Sequence, residues 1–141
     1  MTTPEDQLAD FLKQASDFEQ AVPDGADLFK AMGITGDDAF ELMDSFFAAF
    51  EIDASEYRWY FHHAEEGMNV GGLAFKSPDQ CVDYIPLTPE ILKEAIKSKQ
   101  WPIRYPEHSI PKVRGDMLIN QVLMAVGGAG LLLFLWTRFV T

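Results

Sequence analysis

Apolar and polar residues follow a helical period in three stretches of this chain, and a fourth stretch is apolar throughout. Leu8, Phe11, Leu12, Ala15 and Phe18 recur at the spacing of one helix face, with Asp6, Asp10, Lys13, Gln14 and Asp17 opposite them. Pro23-Asp24-Gly25 breaks that pattern. A second helix starts near Asp37: Thr35 or Asp37 can cap it, Asp38 and Glu41 are spaced like a capping box, and acids in the first turn suit the helix dipole. Its apolar stripe is Ala39, Leu42, Met43, Phe46, Phe47 and Phe50, which leaves Asp38, Glu41, Asp44 and Glu51 in water. A third helix opens with Thr88 as N-cap and Pro89 at the first helical position, buries Ile91, Leu92, Ala95 and Ile96, and closes at Trp101-Pro102. Lys97 and Lys99 complement its C-terminal dipole. Between the second and third helices the pattern is less regular. Tyr57-Arg58-Trp59-Tyr60-Phe61 is rich in strand formers, residues 81–86 read as a short strand, and Gly67, Gly71 and Gly72 mark turns, so a small β-hairpin is expected there.

Met117 to Trp136 then runs for 20 residues without a charge. A helix of that length reaches roughly 30 Å, the thickness of a bilayer's hydrocarbon core. A soluble core helix of this size would carry a polar face. The stretch is therefore expected to cross a membrane as a C-terminal anchor, with the lipid bilayer contacted through residues 117–136. Lys97, Lys99, Arg104, Lys112 and Arg114 precede it and only Arg138 follows, which puts the N-terminal part on the cytoplasmic side of an inner, cytoplasmic membrane. Trp136 suits the far interface, and Asn120 and Gln121 lie near the cytoplasmic end, within reach of water or headgroups. Pro102, Pro106 and Pro111 keep the preceding stretch extended, so that residues 102–114 could span on the order of 40 Å between domain and bilayer. The resulting layout is mostly α: a small helical domain over residues 1–101 with a short β-hairpin insertion, a proline-containing linker over 102–114, and one transmembrane helix over 115–138.

Charge divides the chain. Residues 1–66 hold 16 acids and three bases, whereas residues 67–141 hold six acids and eight bases. The acidic half is repelled by nucleic acid and attracted to basic protein surfaces, which excludes a nucleic-acid partner. Cys81 is the only cysteine, so no internal disulfide forms, and a reducing compartment fits. The first six residues lack the basic and apolar regions of a secretory leader.

Candidate chemistry is sparse. His62-His63 with Glu65-Glu66 supplies ligand types, but adjacent residues on a strand face opposite ways and no metal-ligand spacing accompanies them. No nucleophile is paired with a base, and no glycine-rich phosphate loop is present, so neither catalysis nor a cofactor is expected. Gly127, Gly128 and Gly130 sit mid-span, where small residues let membrane helices approach closely.

The stretch Gly33-Ile34-Thr35-Gly36-Asp37-Asp38-Ala39-Phe40-Glu41-Leu42, running on to Phe50-Glu51-Ile52-Asp53, resembles the second helix of acyl carrier proteins, with Glu41-Leu42 and Phe50 matching that frame. The helix from Thr88 to Lys97 resembles the family's last helix. Most similar are small bacterial acyl-carrier-like proteins of unknown function, which share the Gly-Asp-Asp-Ala helix start, the aromatic segment after it and a final helix ending in a Lys-x-x-Trp-like sequence. The resemblance covers residues 5–101 and implies an acyl-carrier-like helical domain. It departs from the family at one decisive place: the serine that carries phosphopantetheine aligns with Gly36, and mid-helix Ser45 cannot replace it. What the resemblance leaves is a scaffold whose second helix docks on basic patches of partners, here through Asp37, Asp38, Glu41 and Asp44. The expected function is a non-catalytic, tail-anchored accessory subunit or adaptor of a membrane protein complex. The alternatives are a membrane-bound carrier in lipid or acyl metabolism and an immunity-type binding protein.

Overall fold

The computed structural model describes residues 2–16 and 18–139. Asp17, expected on the polar face of the first helix, lies outside them. Five α-helices account for about half of the described residues: α1 (Pro4–Ser16), α2 (Leu28–Met32), α3 (Gly36–Phe50), α4 (Pro89–Ser98) and α5 (Gly115–Phe139). The first four enclose one core. Leu8 and Leu12 of α1, Leu28 and Phe29 of α2, Ala39, Leu42, Met43, Phe46 and Phe47 of α3, and Leu92, Ala95 and Ile96 of α4 are all buried in it. The apolar stripes expected of α3 and α4 are thus the faces they bury, with Phe50 and Ile91 half-buried at the margin. Phe11 places its ring edge-on to Phe46 and Phe50 at 5.6 Å, tying α1 to α3. Lys93 of α4 reaches Glu5 at 3.5 Å and Asp24 at 3.1 Å, closing the same face at its rim.

The ends of these helices follow from local chemistry. α2 is one turn long, held by Asp27, whose carboxylate accepts from the Lys30 amide, and ended by Gly33 in the left-handed region. The C-termini of α3 and α4 support each other. Lys99, itself left-handed after the last turn of α4, donates its ammonium to the Phe50 carbonyl at 2.9 Å, and its own carbonyl accepts from the Asp53 amide. Asp53 and Gln100 form an isolated parallel bridge there, and no strand occurs among the described residues.

The expected β-hairpin is therefore corrected. Trp59–Phe61, Val70–Leu73 and Pro78–Cys81 are short 3-10 helices instead. The backbone of the aromatic run closes on itself, with the amides of Phe61 and His62 donating to Arg58 and Trp59 carbonyls, so no ladder is available to a partner strand. Residues 81–86 offer only one amide across, from Ile85 to the Phe61 carbonyl. The aromatic residues are accounted for by burial rather than by strand pairing: Tyr60 and Phe61 are buried, and Phe61 stacks on Tyr105 at 4.7 Å.

Residues 102–114 have no regular structure, but they are not a free spacer. Ile103 and Tyr105 pack against the core, and His108 meets Tyr60 through a 2.8 Å contact between ring nitrogen and hydroxyl. The Tyr105 hydroxyl accepts from the Trp101 indole at 2.8 Å and from the Arg58 amide at 3.3 Å, which leaves its own proton for His62 Nε2 at 2.7 Å. His62 must then carry its proton on Nδ1, which donates to the Ile85 carbonyl at 2.8 Å. The buried imidazole is satisfied only when neutral.

Burial accordingly pushes the His62 pKa down to about 4 from 6.5, and burial lowers that of His63 as well. As pH falls, the unfolded chain takes up the proton first. The stabilisation is complete above pH 6.5 and is lost towards pH 4, a difference of about 3 kcal/mol for His62. Urea unfolding of the full chain in detergent at several pH values should show this loss, and His62→Gln, though less stable at neutral pH, should show a flatter profile. Parallel profiles would remove His62 as the cause.

Candidate functional site

Asp37, Asp38, Glu41 and Asp44 lie in the first two turns and the middle of α3, on the side away from the buried stripe. Their spacing of three and four residues puts them on one face, all four are exposed, and none forms an ion pair among the described residues. The N-cap of α3 differs in detail from expectation. Thr35 occupies that position, but its hydroxyl makes no capping bond and donates instead to the Ala64 carbonyl at 3.2 Å, beside the Gly36 amide on the same oxygen at 3.1 Å.

Those two bonds draw the segment after His63 over the start of α3, and Gly36 shows the consequence. It is buried, its φ is +52°, and a Cβ there would stand 2.5 Å from Cβ of Glu66. Position 36 thus has neither the backbone conformation nor the space for a side chain, the modified serine expected there of a carrier protein included.

The two histidines part company. His62 is engaged by Tyr105 and Ile85, while His63 sits against Phe29, Phe40 and Trp59 with Nδ1 towards the Ala64 carbonyl. Among the described residues, no group of His, Cys, Asp or Glu is arranged to hold a metal. Cys81 is a half-buried free thiol. An open cleft of about 520 Å³ lies between α1, the loop after it and α4, lined by Leu8, Leu12, Phe18, Val22, Pro89 and Lys93.

α5 is long and apolar enough to cross a membrane, and none of its most apolar 18-residue window is buried in the rest of the chain. Gly127, Gly128 and Gly130 have nothing within 4 Å of where a Cβ would be, so that part of the helix is open on the glycine side.

The most developed polar arrangement was not legible in the sequence and lies where α5 begins. Arg114 donates to both oxygens of Glu65, at 2.8 and 2.6 Å, and to both oxygens of Asp116, at 3.0 and 2.7 Å. Asp116 is 0% exposed and also accepts from the Asn69 amide at 3.0 Å. Asn120 lies one turn further along. Its carbonyl oxygen accepts from the Gly71 amide and its NH2 donates to Asn69, each at 2.9 Å. Of the two polar residues inside the apolar stretch, Asn120 is thus engaged by the domain, whereas Gln121 is exposed. Gly71 must be glycine, since a Cβ would fall 2.1 Å from the Asp116 carbonyl oxygen. The signals available beforehand were Asp116 abutting an uncharged stretch, Asn120 within it and Gly71-Gly72 after Asn69, but Glu65 and Arg114 stand 49 residues apart and nothing local pairs them.

The chain matches no family model, no curated protein and no solved structure.

Gly71→Ala should force the Val70–Leu73 turn off α5. Amide hydrogen exchange at residues 69–75 should quicken by about tenfold or more, a loss of roughly 1.4 kcal/mol of local stability, while α1, α3 and α4 keep their protection. Unchanged exchange at 69–75 would mean the junction tolerates a side chain and is looser than these distances imply.

Proposed function

We propose that this chain is a single-pass membrane protein whose acyl-carrier-like acidic domain faces the cytoplasm, and that it serves without catalysis as an accessory subunit or adaptor of a membrane protein complex. The observation that carries this reading is the junction itself: an uncovered apolar helix is fastened by a partly buried ion-pair cluster to a domain whose outer helix presents four carboxylates outside any ion pair. Such a device presents a charged face at a fixed place above a bilayer. Carboxylates without cationic neighbours favour a basic surface on a partner, through faster encounter and discrimination against acidic competitors. The cytoplasmic side follows from Lys97, Lys99, Arg104 and Lys112. Arg114 adds less to that asymmetry than its position suggests, because Glu65 and Asp116 neutralise it. Gly127, Gly128 and Gly130 supply the second contact, with another membrane helix.

The runner-up, an acyl- or lipid-handling protein, is favoured by the apolar cleft beside Lys93 and opposed by the closed surroundings of Gly36. Extraction of native membranes in gentle detergent, recovery through an N-terminal tag and mass spectrometry separate the two. A stoichiometric membrane complex is expected, and alanine at Asp37, Asp38, Glu41 and Asp44 together should cut its recovery by about tenfold or more. Unchanged recovery would end the claim for α3. A protein recovered alone, or carrying added mass, would put the lipid-handling reading first.

A further inference from the structure

Outside α5, six large apolar side chains are exposed among the described residues, and five of them are neighbours of the junction. Met68 is 88% exposed, Leu73 91%, Phe75 52% and Val113 74%, with Val70 between them; only Tyr84 lies elsewhere. Single exposed apolar residues need no explanation, but a concentration of them marks an interaction surface. Its occupant is indicated by what the segment is fastened to. Gly71 is bonded to Asn120, Asn69 to Asp116 and Asn120, and the Phe75 ring closes on Gly115 so tightly that a Cβ there would be 2.8 Å from it.

Residues 69–75 therefore run beside the first turn and a half of α5, down to a residue that already belongs to the uncharged stretch. The four steps from Asp116 to Asn120 correspond to about 6 Å along the axis, within the roughly 5–10 Å to which interfacial apolar groups sink. Lys76 and Lys112, both exposed, flank the patch and suit lipid phosphates. Of the acids beside the patch, Glu65 and Asp116 are committed to Arg114, and Glu66 is exposed.

The geometry points to a lipid-facing collar: residues 68–75 and Val113 rest in the headgroup–acyl boundary of the bilayer that α5 enters, and fix the depth and pose of the domain. This rests on reading α5 as a membrane span. Because the turn is bonded to the helix, the collar cannot lift from the surface while the junction is intact. It also accounts for a backbone turn at this depth, since the free amide of Gly71 is satisfied by Asn120 rather than left in the boundary.

The test is site-directed spin labelling of the full chain, in a Cys81→Ser background, reconstituted in phosphatidylcholine–phosphatidylglycerol vesicles. Labels go on Met68→Cys and Leu73→Cys, with Glu41→Cys as the water reference and Val126→Cys as the bilayer reference. All four positions are exposed, so the substitutions leave the core untouched. Collision with oxygen, which concentrates in the bilayer, is compared with collision with a water-soluble nickel chelate. The oxygen-to-nickel ratio at 68 and 73 should exceed that at 41 several-fold and stay below that at 126. Ratios at 68 and 73 equal to that at 41, with 126 in the bilayer, would overturn the collar and leave the span standing. A water-like ratio at 126 would remove the span, and the collar with it. Shielding of 68 and 73 from both reagents would place a second copy of the chain on the patch and overturn the lipid assignment.

Discussion

The guanidinium of Arg114 grips Glu65 with two parallel hydrogen bonds and Asp116 with two more, and through that grip the domain and the apolar helix become one body. Burying Asp116 completely is costly unless its charge is matched and its lone pairs are used. Arg114 supplies the charge, Asn69 a further donor, and the start of α5 a favourable dipole for a carboxylate in its first turn. Removing Arg114 would leave the Asp116 charge buried without a counter-ion and release Glu65 at once, so the fastening turns on that one side chain. Everything proposed about the position of the acidic face depends on it: with a free tether at residue 114, the outer side of α3 would have no defined place relative to the membrane.

A second hub is built on the aromatic segment itself. The Tyr105 hydroxyl orders Trp101, Arg58 and His62 at once, and the hydrogen-bond directions it imposes run through the imidazole to the Ile85 carbonyl. The chain leaving α4 thus closes the domain before it descends to α5. A boundary at residue 101, natural from the prolines that follow, cuts through this arrangement: Ile103, Tyr105 and His108 belong with the helices they pack on.

What was legible in the sequence is what local rules govern. α3 and α4 bury the stripes their periodicity marks, α1 does so in its first three turns, and α5 is the helix that the uncharged stretch from Met117 to Trp136 demands. The single turn of α2 is too short for periodicity, although Asp27 and Gly33 bracket it as caps. The aromatic run misled because strand preference describes side chains fitted to a half-buried pleat, and here the same rings are buried by stacking among Tyr57, His62, Trp101 and Tyr105. Of the residues singled out, the four carboxylates of α3 and the glycines of α5 are exposed, as the pattern around them implies, while a docking role for the carboxylates rests on the resemblance to carrier proteins. The junction could not, because its meaning lies in pairs separated by 47 to 51 residues that only the tertiary fold assembles.

In a bilayer, an apolar helix longer than the hydrocarbon thickness adjusts by tilting, and the 20-residue uncharged stretch of α5, roughly 30 Å long, meets that condition wherever the lipid is thinner than this. In most tethered proteins such a tilt dissipates in a pliant joint. Here the first turns of the helix are stitched to the Val70–Leu73 turn and to Glu65, so rotation of the rod is inherited by the whole domain like a mast moving its yard. On the membrane reading proposed above, the thickness of the surrounding lipid becomes a mechanical input, and the height and heading of the carboxylates on α3 are its output.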